Sequence, residues 1–482
     1  MTTDRAAAPG STATVVGRGL LFVLSGNMLL DALEVSVAVV ALPSIGAGLG
    51  LSPTALGWVV GGFALGFGGL LLLSGRLVAE LGRRRVYLAA LLLFAVASLL
   101  GSLAPSGPLL IASRIVKGAC AALTAPTGLA IIADAFPAGP ARDRAVSVYS
   151  LFGAGGFSAG LLLSGLLAEA GWRLTFLFPA PVALVLFLAG LRLVPGTGPG
   201  AGTARAYDLP GAVTSAGALL ALAWALTRGP GAGWTDPVTL SLLLLAGALG
   251  AVFARVERSA PRPLLRPGLL ANRPLRWSAL GAAALNGSYL GFLFVVTFDL
   301  QQDGGLSPLG TGAALLPASL PLAVAVASGL SRRLVGRFGP ARLIALGAWA
   351  PPAGYLWYLA AGPHPSYPSA ALPALLLVGL GFALQFAALN TQAMAGVRDT
   401  DRGPAGAVYQ TSVQAAGALT VVAVAALLGA GGGRRTALAL VASVAAGGLA
   451  VALTAATGRR PKTPTTPTAP KTPTAGPDRP RG

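Results

Sequence analysis

One cysteine, one histidine and 15 acidic residues are all that a chain of 482 residues contains of those types. A lone Cys120 excludes a disulfide framework and a cysteine-based metal cluster, and its apolar surroundings suit a small packing residue. His364, in "AGPHPSYP", has no companion ligand types beside it, so no metal site is expected. Charged residues amount to 10% of the chain, far below the roughly 25% of a typical globular domain. That is too little to cover a soluble surface of this size. No Walker-type phosphate loop occurs, so direct use of ATP is not expected. Clustered histidines, a nucleophile motif and paired carboxylates in a hydrated loop are also missing, which argues against an enzyme.

What is present is apolar. Hydrophobic residues make up 54% and glycines number 67, with a mean hydropathy of +0.74. A net charge of +19 raises the question of nucleic acid, but that partner needs basic residues gathered on one exposed face. Here they fall in short clusters between apolar runs, the pattern of a polytopic membrane protein. The first run begins near residue 17 and others recur to residue 457, so no cleaved signal peptide is expected.

Stretches near the 20 apolar residues that cross a bilayer fall at about 17–42, 54–74, 86–104, 108–133, 145–168, 173–194, 209–227, 237–255, 275–298, 308–328, 340–360, 369–394, 405–428 and 436–457. Fourteen crossings put both chain ends on one side. With that side cytoplasmic, 28 of the 34 basic residues lie in cytoplasmic segments. Four lie outside: Arg173, Arg228, Arg434 and Arg435. A bias of this size favours the even count and the orientation, although the two arginines of "GAGGGRRTAL" run against it. The Pro- and Thr-rich tail at 458–482 has no apolar periodicity and is expected to be a disordered cytoplasmic extension.

Inside the apolar spans stand four ionisable residues, Asp31, Glu34, Arg114 and Lys117. In hydrocarbon each needs a partner, a proton or an aqueous cavity. The i,i+3 spacing puts Asp31 and Glu34 near one helix face and does the same for Arg114 and Lys117. Two acids and two bases can therefore balance in one cluster. Either they are structural ion pairs tying the first span to the fourth, or they form a site where conformational change alters proton affinity. Asp134 and Asp299, near span ends, are expected to be wetted boundary or capping residues.

Two basic loops repeat each other, "GRLVAELGRRRVYLAALL" at 75–92 and "RRLVGRFGPARLIALGA" at 332–348. Repeated halves mark secondary transporters that gate one bundle against another.

Several motifs resemble those of the major facilitator superfamily, in particular its fourteen-span drug:proton antiporters, over roughly residues 20–455. In the first span, "LEVSVAVVALPSI" matches the family pattern with Glu34 at its acidic position, Ser36 and Val39 at its Thr and Asn positions, and Ala41-Leu42-Pro43 retained. Asp31 lies one turn earlier, outside the motif. The first basic loop resembles the family's gate loop through Gly75, Leu77, Gly82, Arg83 and Arg84, with Ala79 in place of its aspartate and Glu80 in place of a basic residue. The fourth span matches through Arg114, Gly118, Ala122 and Pro126. The fifth resembles a decayed antiporter signature that keeps Gly160 and Gly165 but has Leu161 for its proline. "GWRLTFLFPAP" and "LQQDGGLSPLGTGAALLP" are similar to two further patterns.

The resemblance implies an all-α fold of 14 transmembrane helices, organised as a cytoplasmic segment 1–16, a six-helix bundle 17–194, a linker with two inserted helices 195–258, a second six-helix bundle 259–457 and the tail. It further implies proton-coupled export of small hydrophobic or amphipathic compounds by alternating access, from a monomer in a bacterial inner membrane. An exporter dedicated to one metabolite is the alternative; a transporter of another direction or coupling mode, and a receptor or channel, are more distant ones. The only energy source implied is the proton gradient, with no cofactor. Glu34, Asp31 and Arg114 become the candidate proton-coupling residues, Glu34 foremost because it holds the motif position. Substrate contacts are expected from Asp31, Glu34, Trp58, Tyr149, Tyr289, Gln301, Gln385 and Asn390, and gating from Gly75, Glu80, Gly82, Arg83, Arg84, Arg144, Gly160, Gly165, Arg333 and Arg337.

Overall fold

A computed structural model describes residues 10–196, 209–259 and 267–457. The expected disordered tail and the first nine residues of the N-terminal segment lie outside the described residues. Every extended element described is helical. In chain order these are α1 (Gly10–Leu49), α2 (Pro53–Leu81), α3 (Arg83–Ser102), α4 (Gly107–Ala135), α5 (Pro140–Ala170), α6 (Trp172–Leu177), α7 (Pro179–Leu193), α8 (Leu209–Ala232) and α9 (Pro237–Ser259). They continue as α10 (Pro267–Ala271), α11 (Arg273–Phe298), α12 (Pro308–Ala327), α13 (Leu330–Phe338), α14 (Pro340–Gly347), α15 (Ala350–Ala360), α16 (Leu372–Ala393), α17 (Arg402–Gly429) and α18 (Gly433–Thr457).

Among the described residues, thirteen helices are long and apolar enough to cross a membrane, one fewer than the fourteen runs in the sequence. The difference lies at 340–360, where one span is expected and two short helices stand. The chain breaks between Gly347 and Ala350, just before Pro351 and Pro352. Two prolines remove consecutive N–H donors and clash with the preceding turn, so one continuous helix cannot run through them.

Local rules set the other ends. Ser52, Asn272 and Ser307 each accept from a backbone N–H three residues on, at 3.3, 3.0 and 3.1 Å, and a proline follows each within the first turn. That is the expected N-cap chemistry. The two repeated basic loops turn on glycines of the same backbone shape, Gly82 (φ 87°, ψ 138°) and Gly339 (φ 77°, ψ 154°). Only glycine adopts this conformation without strain, so the repeat seen in sequence is also a repeat of geometry.

Helix α1 packs on α4, α5 and α7, and α3 lies on α4 and α7. In the second half α11 packs on α16, α17 and α18. The halves meet chiefly along α2 with α17 and α5 with α12, while α8 and α9 pair with each other and α8 rests against α2 and α17. Where α5 crosses α12 the backbones nearly touch. A Cβ on Gly165 would stand 2.6 Å from the Pro308 carbonyl oxygen, the close approach that small residues give to membrane helices.

Three of the four basic residues on the non-basic end have local partners. Arg434 donates from Nε to Asp299 Oδ2 at 2.7 Å and from its terminal nitrogens to the Gly362 and Tyr358 carbonyls. Tyr358 also donates to Asp299, at 2.8 Å. Asp299 is thus an ion-paired staple rather than the wetted cap expected of it. Arg228 pairs with Asp236 at 3.2 Å, and Arg173 lies over the Trp172 ring.

Candidate functional site

The sequence places its acids halfway along α1, and the fold places that point at the blind end of a central cavity of about 2360 Å³. Asp31, Ala32 and Val35 of α1 form part of the wall. Phe67 of α2, Tyr149 and Phe157 of α5, Tyr289 of α11, and Phe382 and Phe386 of α16 supply most of its aromatic surface. Polar contributions come from Asn286, Ser319, Asn390, Gln410 and Gln414. At the mouth stand Arg76, Arg142, Arg144, Arg332, Arg333 and Arg402, so the cavity opens toward the basic loops. The opposite end is shut by Val39, Leu42, Phe294, Val296 and their neighbours. Gln301 reinforces that closure across the halves, donating to the Val40 carbonyl at 2.8 Å.

Beside this cavity, and outside its wall, Glu34 is fully buried with Arg114 and Lys117. Lys117 Nζ donates to Glu34 Oε1 at 2.5 Å, and Arg114 Nη1 donates to Oε2. Arg114 also donates to the Glu34 carbonyl and, through Nε, to the Val59 carbonyl, both at 2.9 Å. Its guanidinium lies 4.8 Å from the Phe63 ring centre, and Lys117 Nζ is 5.0 Å from that of Phe94. The triad therefore ties α1 to α4 and α2 within an aromatic shell.

Asp31 has a different environment. Its Oδ2 accepts from Asn27 Nδ2 at 3.0 Å and from Thr124 Oγ1 at 2.9 Å, both neutral donors. Its Oδ1 is buried without a hydrogen-bond partner. Only 4% of the residue is exposed, yet it forms part of the cavity wall.

The expected substrate contacts divide in the same way. Tyr149, Tyr289 and Asn390 line the cavity with Asp31. Tyr149 donates to the Ala125 carbonyl at 2.8 Å, and Tyr289 packs against Phe382 with ring centres 4.8 Å apart. Trp58 instead faces α8, donating to Thr227 Oγ1 at 3.0 Å and meeting Trp224 edge-on. Gln385 turns back to its own helix at the Gly381 carbonyl, 3.2 Å away. Phe382 on the cavity wall and the Ser158–Ser319 hydrogen bond (2.9 Å) that joins α5 to α12 add to the residues expected from the sequence. The i,i+4 spacing of Phe382 and Phe386 was the available signal for the former; nothing in the sequence pairs the two serines.

Among the candidate gating residues, Arg144, Arg333 and Gly75 line the cavity at its basic end. Arg83 ion-pairs with Asp134, and Arg84 donates to the Leu191 carbonyl at 2.5 Å. Arg337 stacks beside Phe338, and Glu80 is half-buried at the end of α2. Gly160 lets α5 press against α1, since a Cβ there would stand 2.9 Å from the Leu33 carbonyl oxygen.

Residues 24–421 match the profile of the Major Facilitator Superfamily. Relatives include the puromycin resistance protein pur8 of Streptomyces alboniger, 37% identical over 84% of this chain and 80% of that protein. The cephamycin export protein CmcT of Amycolatopsis lactamdurans is 33% identical over 83% and 82%. The solved structure of the nucleoside transporter NupG (D323A mutant) covers 90% of this chain and 98% of its own with a TM-score of 0.62, at 13% identity. A peptide transporter, POT in complex with sulfate, reaches 0.66 at 16% identity, with 90% and 93% covered; both likenesses concern the fold alone. With a profile spanning most of its length and relatives aligned across four-fifths of theirs, the chain belongs to the major facilitator superfamily of membrane transporters.

Proposed function

We propose that this protein is a proton-coupled antiporter that exports small hydrophobic or amphipathic compounds across a bacterial cytoplasmic membrane by alternating access. The cavity carries the reading. At about 2360 Å³ it is more than twice the roughly 300–1,000 Å³ of ordinary ligand pockets, its walls are mainly apolar and aromatic, and buried ionisable groups stand at its closed end. Bulky ligands fit such a space, and a carboxylate beside it supplies a place for a proton to exchange.

In this reading α14 and α15 together make the fourteenth crossing. Helices α1–α7 and α11–α18 are two bundles, α8 and α9 are an inserted pair, and both termini are cytoplasmic. The basic mouth then faces the cytoplasm, and the cavity described is the inward-facing state of a monomer. Rocking of the bundles about the α2–α17 and α5–α12 contacts exposes the cavity to the other side. Glu34, Asp31 and Arg114 form the proton-coupling group.

A second reading, an exporter dedicated to one metabolite, is favoured by the names of the relatives. One is a puromycin resistance protein, one a cephamycin export protein and one a tetracenomycin C resistance and export protein. A susceptibility panel separates the two. Cells expressing the chain should tolerate several unrelated amphipathic antibiotics, and an uncoupler should abolish the tolerance. Tolerance confined to one compound supports the dedicated exporter. No protection against any compound, or protection that survives collapse of the proton gradient, overturns the antiport reading.

A further inference from the structure

The two acids of α1 lie one turn apart and are both buried, but they differ in their partners and in their place relative to the cavity. Glu34 has both carboxylate oxygens engaged by full cations and lies outside the cavity wall. To protonate it would leave Arg114 and Lys117 as buried charges without a counter-ion, which is strongly unfavourable. Asp31 has no cation on it. Its two donors, Asn27 and Thr124, are neutral and sit on one oxygen. The other oxygen is unpartnered, and the residue lies on the wall of a cavity that opens to the basic end.

Resting on the antiport reading above, we propose that Asp31, and not the motif acid Glu34, is the carboxylate that takes up and gives up the coupled proton, while Glu34 stays ion-paired as the fixed counter-ion of Arg114 and Lys117. On uptake the proton bonds to the free Oδ1, and the carboxylate becomes a neutral carboxylic acid whose Oδ2 keeps its bonds from Asn27 and Thr124. On release the O–H bond breaks and the proton leaves through the cavity. Neither step strips a cation of its partner. The titratable groups in electrostatic reach of Asp31 are Glu34 on its own helix, Tyr87 on α3, Cys120 on α4 and Tyr149 on α5. Lys117, one turn from Cys120, is turned to Glu34.

Two readouts on the full-length protein test this. Purified protein treated with dicyclohexylcarbodiimide, which attacks protonated carboxyls in apolar settings, is mapped by mass spectrometry. Modification is expected at Asp31, increasing toward acid pH and persisting in E34D. Modification at Glu34, or none at Asp31, overturns the assignment. In proteoliposomes loaded with puromycin as probe, or with whichever panel antibiotic the cells export, a pH gradient should stimulate transport several-fold by the unaltered protein. That stimulation should disappear in D31N and return in D31E. A D31N protein that still responds fully to the gradient overturns the proposal but leaves antiport standing. Transport by the unaltered protein that ignores the gradient sinks antiport instead, and the carbodiimide map still reports which acid exchanges protons.

Discussion

Replacing Glu34 by glutamine is the perturbation whose cost the structure specifies best. The side chain receives two charge-assisted bonds, from Lys117 Nζ at 2.5 Å and from Arg114 Nη1, with none of the three residues exposed. Hydrogen bonds to charged groups contribute about 1.5–3 kcal/mol each, so their loss amounts to roughly 3–6 kcal/mol. Breaking a buried ion pair by removing one partner gives the similar range of about 3–5 kcal/mol. Arg114 keeps its bonds to the Val59 and Glu34 carbonyls, and that residual anchoring favours the lower half of the range. Lys117 loses its counter-ion and keeps its ring contacts with Phe94 and Phe176. The double variant E34Q/K117M, which removes the stranded ammonium, should therefore be more stable than E34Q alone, an interaction visible in a double-mutant cycle. Asp31→Asn removes a buried charge that has no counter-ion, so it should change stability by no more than about 1 kcal/mol. Apparent unfolding midpoints in detergent at one fixed scan rate, followed by tryptophan fluorescence, rank the unaltered protein, E34Q, K117M, E34Q/K117M and D31N. A stable E34Q, or a D31N less stable than E34Q, would refute this division of roles.

The crossing of α5 and α12 should be equally sensitive. Gly165→Leu forces a side chain into the Pro308 and Leu309 backbone, so the end of the cavity away from the basic loops should stay ajar. Cysteine labelling of a residue placed in the cavity, with Cys120 as the only native and buried cysteine, should show increased access from that end and reduced export. Trimming Tyr289 or Phe382 to alanine removes ring packing of about 0.5–1.5 kcal/mol and should raise the KM for aromatic compounds more than for aliphatic ones, as read in vesicle uptake. Outside the spans, the Thr239 backbone N–H, followed by Arg228, holds the Asp236 carboxyl below the usual carboxylate range despite an opposing desolvation effect. The resulting stabilisation is present above the ordinary carboxylate range and is lost as pH falls through the depressed value. The stability gap between the unaltered protein and D236N should accordingly close at acid pH in a midpoint-against-pH series.

Much of the helical layout was legible because a bilayer admits little else: apolar runs of the right length, with basic residues between them, become helices. The exception at 340–360 was also written in the chain, as the pair Pro351-Pro352, but a hydropathy reading smooths over prolines that break a helix. That Arg114 and Lys117 would find a carboxylate partner followed from their cost in hydrocarbon, but Asp31 stands outside the ion-paired cluster with neutral donors instead. Which acid would take both cations did not follow. The i,i+3 spacing places Asp31 and Glu34 near one face, whereas the outcome depends on how α4 rotates to aim Arg114 and Lys117 at Glu34 and Thr124 at Asp31. Rotation also explains Trp58, an aromatic of the second span that packs on α8 instead of the cavity. Arg434 stood against the charge bias because its partner, Asp299, is 135 residues away in sequence.

The central claim is exchange of protons for substrate through the cavity beside Asp31. Its most direct test is to enclose a pH-sensitive dye in proteoliposomes holding the purified protein and to impose a gradient of an exported compound without any initial pH difference. Movement of the compound down its gradient should drive protons the opposite way, with a dye signal that an uncoupler abolishes. Flux of the compound with no accompanying proton movement would contradict the claim.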